Sequence, residues 1–243
     1  GLTNIDFALY TNKDNEINSP EYLRLIEEFT AWLLLQEEVD HVLSYSNTIK
    51  RLSKNVNDDD IAFEVIPENR ELAAQYLLLY EMSLPFGLDT NNQIDLRKSA
   101  VRVMVTIQNL GSSELTAFED KAKAWMNNKA PQYTLEAASI PLIFAHIGKA
   151  NMEGMIKGGV VALLLISGLL LFALRSVKLG LISIIPNLLP ALMGFAVWAL
   201  ISAEISMALS VVMTMTLGII VDDTVHFLSK YKKSIDSGST PNE

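Results

Sequence analysis

The sequence predicts an α+β extramembrane domain over residues 1–140, followed by an α-helical transmembrane bundle of three spans. Three observations carry this. In residues 100–108, Val101, Val103, Val105 and Ile107 alternate with Arg102, Met104, Thr106 and Gln108, the period-two pattern of a half-buried strand. Tyr22, Ile26, Phe29 and Leu33 recur at the spacing of one helix face. Beyond residue 153 come three runs of about twenty mostly apolar residues, the length needed to cross a hydrocarbon layer of roughly 30 Å.

The soluble part is justified element by element. "TNIDFALY" at 3–10 reads as a strand, and the helix after it has Ser19 to cap it and Pro20 suited to its first turn. "VDHVLSY" at 39–45 is a second strand. Residues 46–98 form an insertion: a helix at about 47–54, an acidic turn "NDDD" at 57–60, and a helix at about 68–83. The strand at 100–109 follows, then a helix capped by Ser112 or Ser113, with Leu115, Phe118, Ala122 and Trp125 at helical spacing. "PQYTLEAAS" supplies the fourth strand. The order strand, helix, strand, insertion, strand, helix, strand is that of a ferredoxin-like, split βαβ unit.

Composition narrows the function. Of the formal net charge of −9, residues 1–153 supply 23 Asp and Glu against 13 Lys and Arg, whereas 154–243 supply 5 against 6. The acidic domain has no basic face for nucleic-acid phosphates, so no nucleic-acid partner is expected. With no cysteine there is neither a disulfide framework nor a thiolate metal site, and His41, His146 and His226 are scattered. Asp58, Asp59 and Asp60 lack the glycine and distal glutamate of a calcium loop and read as a solvated turn. No nucleophile elbow or phosphate loop occurs, so no enzyme, cofactor or metal is expected. The chain begins at Gly1, with a strand almost at once, and ends in a polar stretch; we read it as a piece of a longer protein.

The spans fall at 154–174, 177–201 and 205–228, after a connector at 141–153 and before a tail at 234–243. Arg175 and Lys178 lie between the first two spans and Lys230, Lys232 and Lys233 at the end of the third, while only Glu204 lies between the second and third. By the positive-inside rule the basic ends face the cytoplasm and the N-terminal domain lies outside. Lys157 can snorkel at the outer end of the first span. In the second span Pro186, Asn187 and Pro190 predict a kink, either a packing feature or a hinge lining a polar cavity.

The third span ends "TLGIIVDDTVHFLSKY", and its two adjacent aspartates need a reason. An ionisable side chain near a bilayer centre costs on the order of 2.5 to 3.5 kcal/mol. Asp222 and Asp223 share one broad helix face with His226, and they stand about 12 Å from Lys230 along the helix, within the membrane. Such a pair exchanges protons as a unit whose occupancy responds to which side has access to water. That is the physical requirement of a proton relay.

"GIIVDDTVHFLSKYKK" resembles the fourth transmembrane helix of the resistance-nodulation-division (RND) superfamily, in particular its exporters related to MMPL and sterol-sensing-domain proteins. Gly218 and Asp222 match that helix's Gly-x-x-x-Asp motif, and Asp223 matches the second acid of many branches. "FALRSVKLGLISIIPNLLPALMGF" is similar to the second-to-third helix connection. "LYEMSLPFG", followed by "SAVRVMVTIQNLGSSE", is similar to the porter region. Thr224 departs from the Asp-Tyr pattern of the MMPL branch, so no MMPL-type partner arrangement follows.

The resemblance implies a proton-driven exporter of hydrophobic or amphiphilic molecules in a bacterial inner membrane, with its N-terminal domain periplasmic. Asp222 and Asp223 would be the relay, and Gly218, Thr224 and His226 would support it. The partners implied are a lipid-like substrate, protons, membrane lipids, a second half of the same chain and a homo-oligomeric assembly. The alternative is a lipid- or sterol-sensing or scaffold protein of the same fold in which the acids are structural. An intramembrane aspartyl protease would need acids converging from two helices, and the first two spans contain none.

Overall fold

A computed structural model describes residues 2–85, 90–174, 177, 182–201 and 207–237. The chain divides into two compact units, Gly1–His146 and Ile147–Glu243.

The first unit is built on four strands: β1 (Leu2–Tyr10), β2 (Val39–Leu43), β3 (Ala100–Gln108) and β4 (Thr134–Ala138). They lie in the order β2-β3-β1-β4 with every neighbouring pair antiparallel. β1 and β3 pair over their whole length, with Phe7 opposite Val103 and Ile5 opposite Val105. This register puts Ile5, Phe7 and Leu9 on the same face as Val101, Val103, Val105 and Ile107, and all seven are buried. The alternation seen in the sequence is therefore the division between core and open face.

That buried face is covered by α1 (Pro20–Leu34) and α4 (Ser112–Lys129). Ser19 caps α1 as expected, its Oγ accepting the Tyr22 N–H at 3.3 Å, and Tyr22, Ile26, Phe29 and Leu33 are fully buried. Phe29 meets Phe7 edge-on at 5.7 Å and stacks on Trp32, which in turn stacks on Trp125 of α4. Tyr22 and Tyr45 donate to the Leu9 carbonyl and to Asn18 Oδ1. Burial pushes both phenols up, so they remain neutral donors inside the core.

Two boundaries differ from the expectation, and the acidic turn agrees with it. α4 begins after Gly111, not after a serine cap: Glu114 reaches back to accept the Gly111 N–H at 2.8 Å, the half of a capping box that needs no side chain at the cap position. β2 stops at Leu43, because Ser44 turns the chain and α2 (Tyr45–Val56) starts with Tyr45 already in the core. In the acidic turn Asp58 and Asp59 adopt positive φ and Asp60 Oδ1 caps a 3-10 turn at Ile61–Phe63, so these residues are a chain reversal. The insertion continues with α3 (Arg70–Ser83), capped by Asn69 Oδ1 on the Leu72 N–H.

α5 is one helix from Ile140 to Leu174, so residues 141–153 are helical and continuous with the first apolar run. Its first two turns belong to the first unit, with Leu142 and Ala145 buried. α6 (Ile184–Ile201) and α7 (Met207–Asp236) complete the second unit. Among the described residues two helices are long and apolar enough to cross a membrane, Ile140–Phe172 and Ile184–Ile201. Arg175, Lys178 and Glu204, used above for orientation, lie outside the described residues, as do 238–243.

Candidate functional site

α7 is uninterrupted for 30 residues, about 45 Å; it contains no proline and a single glycine, Gly218. Thr216 and Thr224 donate back to the Val212 and Ile220 carbonyls at 2.8 and 2.9 Å, so these hydroxyls bond within the helix that carries them.

Asp222, Asp223 and His226 are all on α7 and exposed, and among the described residues neither carboxyl has a hydrogen-bond or ion-pair partner. Gly218 lies one turn before Asp222 on the same side; a Cβ there would meet nothing within 4 Å, leaving room for an approach to that side. Thr224, in contrast, is buried and belongs to the packed face with Val221, Val225 and Leu228. With its hydroxyl bonded to Ile220, Thr224 contributes here to packing, not to the carboxyls. Leu228 and Val225 meet Leu170 and Ile166 of α5.

α6 packs along α7. Pro190 lies inside α6, where it removes the N–H that would bond the Pro186 carbonyl, and Pro186 itself sits in the first turn, where a missing N–H costs least. Ser183 and Asn187 are fully buried, and Phe195 and Trp198 continue the stripe half-buried. The Asn187 N–H bonds the Ser183 carbonyl at 3.4 Å, but neither atom of its side-chain amide has a partner. Burying such an amide unpaired costs on the order of 1 to 3 kcal/mol by mutational scales. The Ser167 hydroxyl of α5 is likewise buried and unpaired. Sequence reading passed over Ser167 and Ser183; the available signal was that they are small polar residues inside otherwise apolar runs.

The expected residues thus come together in two groups. Gly218, Asp222, Asp223 and His226 line one side of α7, and Pro186, Asn187 and Pro190 occupy the start of the helix packed along it. No group of three or more His, Asp or Glu side chains capable of holding a metal gathers among the described residues.

A family model described as MMPL matches residues 97–243, well over half of the chain, from the loop before β3 through all three long helices. The chain belongs to the MMPL family. This membership places it in the RND superfamily and among membrane proteins, in agreement with its apolar helices, and the matched stretch includes both aspartates and both prolines. A search of curated proteins finds no match to the chain.

The first unit of this MMPL chain holds a second constellation that sequence reading missed. Glu119 is 3% exposed; its Oε1 accepts from Lys123 Nζ at 2.6 Å, and its Oε2 is 2.5 Å from His146 Nε2 on α5. Burial alone would raise the Glu119 carboxyl, but the hydrogen bonds and charges of Lys123 and His146 outweigh it and hold the group below the usual glutamate range. The Glu119–Lys123 spacing was visible in the sequence; the third partner, 27 residues on, was not.

Proposed function

We propose that this MMPL chain forms part of an exporter of hydrophobic or amphiphilic molecules driven by the proton-motive force, with Asp222 and Asp223 as its proton relay. The observation that carries the reading is the adjacent carboxyl pair on a long helix, directly after its mostly apolar run at 207–221, in a chain of this family. α7 is read here as a third span, with a cytoplasmic end marked by Lys230, Lys232 and Lys233. The sheet order β2-β3-β1-β4 supports reading the first unit as a ferredoxin-like porter domain outside the membrane, where it would handle substrate.

The energetics suit the task. One proton moving through about 100 mV releases about 2.3 kcal/mol, enough to bias a conformational cycle. Two acids on one turn cannot both stay charged away from water at low cost, so their shared occupancy follows whichever side is hydrated. His226, one turn further on, lies toward the cytoplasmic end of the same side and would relay or orient the proton. The proline-bearing α6 would move with the change in occupancy.

The test uses the full-length protein in sealed vesicles with an imposed pH gradient and a panel of lipids and amphiphiles. Substrate-stimulated proton flux in wild type that is lost in Asp222→Asn and Asp223→Asn supports the relay. Flux that survives both substitutions sinks it and favours lipid sensing on the same fold.

A further inference from the structure

α5 is a single helix whose two ends are held by different partners. At its start Ser139 Oγ accepts the Leu142 N–H at 3.1 Å, Leu142 and Ala145 are buried, and His146 Nε2 meets Glu119 Oε2 at 2.5 Å. These contacts make its first two turns part of the first unit, which ends at His146. Further along, Ile166 and Leu170 pack with Val225 and Leu228 of α7. Between the two anchorages, from Ile147 to Ile166, no residue is buried.

That stretch has an uncommon composition for a helix: four of its twenty residues are glycine, Gly148, Gly154, Gly158 and Gly159. Without a Cβ the glycine backbone keeps the most freedom, and glycine is the poorest helix former after proline. A close neighbour is one reason for a helical glycine, yet a Cβ at any of the four would meet nothing within 4 Å among the described residues. The weakest point is the adjacent pair Gly158–Gly159, followed by β-branched Val160 and Val161. Lys157 reaches Glu153 at 3.6 Å across the turn before it, but both partners are exposed and the pair adds little. Gly154 and Gly158 belong to a run of small residues, Ala150, Gly154, Gly158 and Ala162, at the four-residue spacing that lets another helix approach. Gly159 lies about 100° round the helix from Gly158, outside that run, so helix approach does not account for it.

We infer that α5 bends at Gly158–Gly159 and that the first unit, with the first turns of α5 fastened to it, swings there as one body. In the membrane reading Lys157 marks the outer end of the first span, so the bend falls where the helix leaves the hydrocarbon. Leu142, Ala145 and the Glu119–His146 contact hold the upstream turns, which confines the bending to the unsupported glycines. β1 alone is nine residues, about 30 Å, and a bend of about 20° displaces a point that far from the joint by roughly 10 Å. Neither the relay nor the lipid-sensing reading requires this joint, so its failure and theirs are separate results.

The experiment is double electron–electron resonance on the full-length protein in lipid vesicles, any cysteine outside residues 1–243 being replaced first. Spin labels at Asp14→Cys in the first unit and Phe172→Cys beyond the joint are expected to give distances spread over roughly 10 Å when both glycines are present. Gly159→Ala and the double variant Gly158→Ala/Gly159→Ala are expected to lose that spread, because alanine restores the stiffness of the helix. A second pair, Asp14→Cys with Ile143→Cys, lies on one side of the joint and should give a single narrow distance throughout. A narrow distribution between positions 14 and 172 with both glycines present overturns the inference, and so does a spread that persists in both alanine variants. A broad distribution between positions 14 and 143 overturns it too, since the first turns of α5 would then not travel with the first unit. If the double variant does not fold, Gly159→Ala decides: a spread unchanged there but lost in Gly154→Ala assigns the glycines to helix approach and overturns the bend at Gly158–Gly159.

Discussion

At the scale of single residues, two of the buried polar groups of this chain are built in opposite ways. Glu119 is a buried acid with both oxygens engaged, whereas Asn187 is a buried amide with neither atom engaged. The first is a fastening, and its loss is measurable as stability. Glu119→Gln removes a buried, charge-assisted pair of contacts and is expected to destabilise the first unit by about 1.5 to 3 kcal/mol at neutral pH, read from denaturant midpoints. Because folding lowers the acid's affinity for protons, its contribution is complete above the unfolded glutamate range and fades as pH falls through the lower folded value. The gap between wild type and Glu119→Gln should accordingly be full at pH 7 and narrow below about pH 4; a gap that widens in acid would refute the assignment. At the same scale, Asp222→Asn and Asp223→Asn should abolish coupled flux while leaving thermal stability near wild type, since neither carboxyl makes a packing contact or pair among the described residues.

Among the elements, α1 and α6 show how sequence pattern and packing interact. α1 carries a regular apolar stripe, a cap and a first-turn proline, and all of these act in the structure as the pattern implies. Phe29 is its central residue, touching Phe7, Trp32 and Trp125, so Phe29→Ala should cost about 3 to 5 kcal/mol in unfolding of the first unit. α6 is apolar nearly all round, and its informative feature is the proline inside it. Pro190→Ala restores a backbone donor to the Pro186 carbonyl and should raise or maintain the melting temperature. If the proline segment moves during transport, the same variant should lose flux; undiminished flux in Pro190→Ala would reduce the prolines to packing features.

For the whole molecule, the absence of cysteine makes orientation directly testable. Asp14→Cys in the first unit and Ser234→Cys near the end of α7 are both at exposed positions, and each would be the sole thiol within residues 1–243, any cysteine elsewhere in the full-length protein being replaced first. In intact cells a membrane-impermeant maleimide should label the first from outside and the second only after permeabilisation; the reverse pattern would invert the proposed topology. The sequence by itself determined the alternating core of β1 and β3, the apolar face of α1, the two-part charge distribution, the apolar runs and the carboxyl pair of α7. Each of these is a local pattern whose period or composition registers directly in neighbouring residues. Only the tertiary structure decided that the sheet runs β2-β3-β1-β4, that Gly111 and Glu114 start α4, that His146 reaches Glu119 across 27 residues, and that the Asn187 amide is buried without a partner. The reason is physical: strand order, long-range pairs and the cost of an unsatisfied amide depend on which surfaces meet, and one chain's local periodicity does not encode what stands on the other side of an interface.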